Sequence, residues 1–128
     1  FANPYPVGVQ ALVFTGAMDY WPNVDAVRWF AAEVFPRVRA VRTEARFYIV
    51  GSKPAEAVRA LATEAVIVTG RVEDVRPYLQ HAVAVVAPMR IARGIQNKVL
   101  EAMAMAKSVV VSPQGLEGID ANTALYKP

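Results

Sequence analysis

The chain has 128 residues, 55% hydrophobic and 20% charged, with no cysteine and one histidine, His81. That length and balance suit one folded domain with a substantial core, and exclude a disordered chain, a disulfide framework and a thiolate metal site. The net charge of +3 is too small and its cations too dispersed to mark a nucleic-acid surface.

Apolar strands alternate with amphipathic stretches from one end to the other. ALVFTG (11–16) is a short apolar run closed by glycine, the pattern of a buried strand. In 22–40, Val24, Val27, Phe30, Ala31, Val34 and Phe35 recur at helical spacing. Pro22 suits a first helical turn, and Asp25 is expected near the positive end of the helix dipole. Pro36 lacks a backbone donor, so it is expected to kink or end this helix.

RFYIVG (46–51) repeats the strand–glycine unit and PAEAVRALA (54–62) gives a second helix. AVIVTG (65–70) is a third strand, VEDVRPYLQ (72–80) a short helical turn and AVAVVAP (82–88) a fourth strand. QNKVLEAMAMA (96–106) reads as another helix and SVVVS (108–112) as a fifth strand, with room for a short edge strand in the tail. This alternation predicts a doubly wound, Rossmann-like α/β domain, a parallel sheet with helices on both faces. Ligands of such sheets bind beyond the carboxyl ends of the strands. The loops of interest are therefore 16–22, 51–54, 70–73, 88–96 and 113–120. The longest apolar run, 82–88, is far short of the roughly 20 residues of a membrane span. The opening FANPYP has neither the basic nor the apolar region of a secretory leader. The expected setting is the cytoplasm or the inner face of a membrane. The absence of an initial Met and the stop just after a turn lead us to expect a domain, 1–128, excised from a longer protein.

No G-x-G-x-x-G follows the first strand and there is no Walker A sequence, which disfavours dinucleotide enzymes and P-loop ATPases. The third strand ends VTGR rather than in the acceptor aspartate of a phospho-receiver. The segment 88–101 is the strongest candidate site. Free N–H groups at the helix start, including that of Ile95, form an anion site with the helix dipole, and Gly94 permits close backbone approach. Arg90, Arg93 and Lys98 supply charge for a diphosphate, and the carboxylate of Glu101 suits adjacent sugar hydroxyls. The spacing serves an ordinary helix equally well, with Lys98 and Glu101 paired across one turn. Gly16 opens the first strand-end loop, whose Asp19, Tyr20, Trp21 and Asn23 form either a ligand rim or a helix entry. Arg71 and Val72 offer backbone groups to a nucleobase or form a plain turn. The small residues of EAMAMA read as helix packing, and His81 as an ordinary loop residue.

VLEAMAMAKSVVVSPQGLEGI resembles the LEAMA-x-G-x-PVV run of the group 1 glycosyltransferases, family 4, of the two-domain GT-B fold. The likeness continues upstream through VTGRVEDVRPYLQHAVAVVAPM, FYIVG and FTGAMDYWPNVDAVRWF, so it covers nearly the whole chain. FTGAMDYWPNVDAV together with RIARGIQNKVLEAMAM is most similar to the sugar transferases associated with PEP-CTERM/exosortase exopolysaccharide systems. The resemblance implies the carboxyl-terminal, donor-binding half of a retaining hexosyltransferase that takes a UDP- or GDP-linked sugar and needs no metal or other cofactor. It implies an acceptor-binding domain preceding this one, and little turnover by this half alone.

By position in the motif, Glu101 falls on the glutamate that binds the ribose hydroxyls. Arg93 falls where the family carries a second glutamate against the donor sugar, a departure that exchanges a hydroxyl acceptor for a cation. The loop after the first strand lacks the family's Arg and Lys, which puts Arg90, Arg93 and Lys98 forward as replacements on the diphosphate. Ala106-Lys107-Ser108 replaces Gly-x-Pro, with a packing effect expected. The competing readings are half of a nucleotide-sugar epimerase and a Rossmann-like interaction module without ligand. The resemblance also implies that the family's carboxyl-terminal tail is missing here, and its loss is expected to expose a strand edge and favour a dimer.

Overall fold

The computed structural model describes residues 1–90 and the backbone of 109–111. Five strands form one parallel sheet: β1 (Gln10–Thr15), β2 (Ala45–Val50), β3 (Val66–Gly70), β4 (Ala84–Ala87) and β5 (Val109–Val111), in the order β3-β2-β1-β4-β5. The expected doubly wound architecture is thus present. β1 and β2 pair along six residues, from Gln10 opposite Ala45 to Thr15 opposite Val50. β4 lies on the other side of β1, with Leu12 opposite Ala84 and Val13 opposite Val85.

The alternation along each strand sorts the core into two layers. Phe14, Phe47, Ile49, Val66 and Val86 face one side, where they meet Met18 from the loop after β1 and Val24, Val27, Phe30, Phe35 and Val58 from the helices that follow β1 and β2. Ala11, Val13, Tyr48, Val50, Val85 and Ala87 face the other, against Tyr5 and Leu79. Strands buried on both faces have no polar side to show, which is why their sequences read as continuous apolar runs.

The helix after β1 is longer than its first part. α1 (Trp21–Trp29) passes into a π-helical turn (Phe30–Val34) and then α2 (Phe35–Val41). The Phe35 amide bonds the Phe30 carbonyl, five residues back. Pro36 cannot donate to the carboxyl-side ladder and its ring crowds the carbonyl four residues earlier. The widened turn upstream relieves both problems. Pro36 therefore neither ends the helix nor stands alone as a kink, since it occupies the first turn of α2.

The other two helices among the described residues are shorter than the sequence pattern suggests: α3 spans Glu56–Arg59 and α4 spans Arg76–Gln80. Residues 1–9, which carry no helical or strand pattern, cross the second face. Tyr5 is buried there, its ring 4.6 Å from that of Tyr48 and 5.7 Å from that of Tyr78. Its hydroxyl donates to the Tyr78 carbonyl at 2.5 Å. His81 contacts the Phe1 carbonyl through Nε2, so this loop residue has a structural contact.

Candidate functional site

In this strand order the chain leaves β1 toward β2 and β3, then crosses back to β4 on the opposite side of β1. The crevice of a doubly wound sheet opens where such connections diverge, here beyond the carboxyl ends of β1 and β4. Gly16 lies at this point. Its N–H donates to the Val50 carbonyl at 3.1 Å, extending the β1–β2 ladder by one bond. Gly51 then packs against it so closely that a Cβ at 51 would stand 1.6 Å from the Gly16 carbonyl oxygen. The Gly51 N–H in turn donates to the Gly70 carbonyl at 3.3 Å. Three strand-closing glycines thus sit side by side along the carboxyl edge.

The loops beyond them are fastened to one another. Met18 donates its N–H to the Ser52 carbonyl at 2.9 Å and accepts from the Ala55 N–H at 3.0 Å. Asn23, buried at the start of α1, donates from Nδ2 to the Ala17 carbonyl at 3.0 Å. Tyr20 and Trp21 each remain 55% exposed, and α1 begins at Trp21 with Tyr20 at its cap, so this segment forms the entry to the helix. Asp19 is exposed as well.

Arg71 follows Gly70 and is exposed, while Val72 turns inward against the Tyr5 and Val50 layer. Arg90 extends from the end of β4 to α1, where Nε donates to Asp25 Oδ2 at 3.1 Å and an Nη to Oδ1 at 2.6 Å. These hydrogen bonds to Asp25 raise the Arg90 guanidinium pKa, and the charges of Asp25 and Glu33 act in the same direction. Asp25 is therefore not the first-turn dipole partner that its sequence position suggests: α1 begins at Trp21 and its first turn holds no acid. Arg93, Gly94, Ile95, Lys98 and Glu101 lie outside the described residues.

Two features of this edge escaped the sequence reading. Lys53 is exposed in the loop after β2 with φ of 51°, an unusual backbone for a side-chain-bearing residue. The hydrogen bonds that Met18 makes with Ser52 and Ala55 flank it. The Asp25–Arg90 pair was also missed, although a lone acid between Val24 and Val27 on the apolar face of a helix is a signal for a buried partner. Among the described residues, no group of three His, Asp or Glu side chains is placed to hold a metal. No helix among them is long and apolar enough to cross a membrane.

Several solved structures share this fold. HepE from Anabaena, crystallised with UDP and glucose, superposes with a TM-score of 0.64 at 14% identity, over 87% of this chain and 31% of that one. OtsA in its apo form gives 0.61 at 12% identity, over 95% of this chain and 33% of that one. Trehalose-6-phosphate synthase, studied with bisubstrate glycomimetics, gives 0.59 at 13% identity, over 94% and 34%. The chain spans about a third of the length of these structures. No curated protein sequence matches it. The family model for glycosyl transferases group 1 matches residues 9–127, from just before β1 to the penultimate residue, and the chain accordingly belongs to the group 1 glycosyltransferases.

Proposed function

We propose that this chain is the donor-binding domain of a retaining glycosyltransferase, one that moves a hexose from a UDP- or GDP-linked donor to a glycan or lipid-linked acceptor during polysaccharide synthesis. The observation that supports this best is the switch point between β1 and β4 in the strand order, in a chain whose family model runs through all five described strands. In this reading the diphosphate lies over Gly94 and Ile95 in the segment after β4, with Arg93 and Lys98 supplying positive charge. Glu101 accepts hydrogen bonds from the ribose hydroxyls. The backbone of Arg71 and Val72 meets the base, and Gly16 leaves room for the donor at the end of β1. As the glycosidic bond to the diphosphate breaks, charge grows on the leaving phosphate, where fixed donors and cations stabilise it most.

The acceptor belongs to a preceding domain of the same enzyme, and the complete reaction takes place on the cytoplasmic side, at the membrane when the acceptor is lipid-linked. The PEP-CTERM/exosortase association remains part of this proposal. The test is a calorimetric titration with UDP and GDP of the wild-type chain and Glu101→Ala. We expect saturable binding of one nucleotide, weakened about ten-fold by the substitution, or about 1.4 kcal/mol. Equal affinity in both proteins refutes the role of Glu101. Absence of binding in the complete enzyme refutes the donor site.

A further inference from the structure

Asp25 and Arg90 are 65 residues apart in sequence, yet they make the only two-pronged ion pair between distant elements among the described residues. Arg90 leaves β4 and Asp25 lies on α1, the helix that follows β1. The pair therefore ties the exit of β4 to the helix that follows β1, across the switch point of the sheet. Its geometry uses both carboxylate oxygens and the planar guanidinium edge, an arrangement that a lysine point charge does not reproduce. Trp29 stands one helical turn beyond Asp25, its ring centre 5.8 Å from the guanidinium carbon. One helix face thus offers Arg90 a carboxylate and an aromatic surface together.

The two partners differ in exposure. The Asp25 side chain is 11% exposed and that of Arg90 is 52% exposed. Asp25 sits among the buried Val24, Ala26 and Val27, where a carboxylate without a partner is strongly unfavourable. Were Arg90 to turn away and grip a phosphate, that carboxylate would be stranded. Met89, immediately before it, is fully buried in the same layer as α1, and its N–H bonds the Ala87 carbonyl at 2.8 Å. Both neighbouring residues therefore hold the exit of β4 against α1.

We propose that Asp25 and Arg90 form a positioning clamp for the donor site, fixing the point from which the chain leaves β4, and that Arg90 is not a phosphate ligand. The clamp rests on the donor-site reading above for its role toward nucleotide. It predicts one lesion reached from either side: Asp25→Asn, Arg90→Gln and the double variant each weaken UDP or GDP binding by roughly five-fold, with the double no worse than either single. Arg90→Lys keeps the charge but loses the fork, and is expected to bind as weakly as Arg90→Gln.

A direct phosphate ligand gives a different pattern. In that case Asp25→Asn leaves affinity unchanged or improves it, Arg90→Gln loses it, and Arg90→Lys retains most of it; this result overturns the clamp. Amide exchange gives a readout without nucleotide: Asp25→Asn is expected to speed exchange at Met89 about ten-fold. Unchanged exchange at Met89 overturns the clamp as well. If the complete enzyme binds neither nucleotide while exchange still accelerates, the donor-site reading falls, and the clamp's role toward nucleotide falls with it. The mechanical link between α1 and β4 then stands alone.

Discussion

Replacing Gly51 by alanine tests whether the carboxyl edge is as tightly closed as its backbone contacts indicate. A Cβ at 51 meets the Gly16 carbonyl oxygen at 1.6 Å and its carbon at 2.8 Å. A comfortable carbon–oxygen contact lies at about 3.3 Å, so the ends of β1 and β2 have to part by roughly 1.7 Å. Both obstructing atoms are backbone, and no rotamer change relieves them. Parting endangers the Gly16 N–H bond to Val50 and the Met18 N–H bond to Ser52. Each is worth about 1 kcal/mol, and the overpacking itself costs about 1–3 kcal/mol.

The expected loss is therefore about 3–5 kcal/mol, against a total stability of about 5–15 kcal/mol for an ordinary domain. At roughly 3–5 °C per kcal/mol for a chain of this size, the midpoint should fall by about 10 °C or more in a thermal melt followed by circular dichroism. Gly70→Ala is the control. Gly70 has φ of +71°, but a Cβ there has nothing within 4 Å, so only backbone strain of about 1–2 kcal/mol is expected. A Gly51→Ala protein that melts within about 2 °C of wild type, or above Gly70→Ala, refutes the close approach of β1 and β2.

Two further substitutions probe the two faces of the sheet. Phe47 is fully buried, its ring 4.7 Å from that of Phe30 and 6.0 Å from that of Phe35; Phe47→Ala should cost about 3–5 kcal/mol in urea unfolding, and a loss under about 1 kcal/mol contradicts its central place. On the other face, burial pushes the Tyr5 phenol above its usual pKa, helped by Tyr48 and Tyr78. A pKa raised in the folded state means that Tyr5 favours folding fully below about pH 10, and that this contribution is lost as pH rises, because only the unfolded chain gives up the proton. Tyr5→Phe should cost about 1 kcal/mol at pH 7 through its lost bond to Tyr78, with a gap that narrows above about pH 10; a constant gap in urea unfolding at pH 7 and pH 10.5 rejects the linkage.

The sheet was legible because β-branched runs closed by glycine have few other ways to be satisfied. Each of the five strands lies within the stretch expected for it, to within a residue or two. What the sequence concealed were interactions between distant segments. Tyr5 gives no periodic signal, since its burial depends on Tyr48 and Tyr78, 43 and 73 residues further along. Asp25 looked like a dipole partner because its distance from Pro22 is local information, whereas its pairing with Arg90 requires β4 to lie beside β1. The π-helical turn is similarly hidden: Pro36 announces a disturbance, but packing of Phe30 and Phe35 against Phe47 decides that the helix widens and continues. Of the candidate site, the strand-end loops followed from topology, while the state of Arg90 followed only from its partner.

That state changes where positive charge is available. Arg90 had been expected to meet a diphosphate, but its guanidinium already faces a mostly buried carboxylate. Among the described residues, the exposed cations in the strand-end loops without an ion pair are Lys53 and Arg71, after β2 and β3. Lys53 is held at the tip of a loop whose backbone is bonded on both sides to Met18, and Arg71 follows Gly70, whose carbonyl bonds Gly51. Both therefore project from backbone fixed by neighbouring strands, which reduces the ordering that ligand binding must bring about. On the donor-binding reading proposed above, charge and rigidity come from different residues: Arg90 and Asp25 hold the frame, and Lys53 and Arg71 are the described strand-end cations whose charge is left for a ligand.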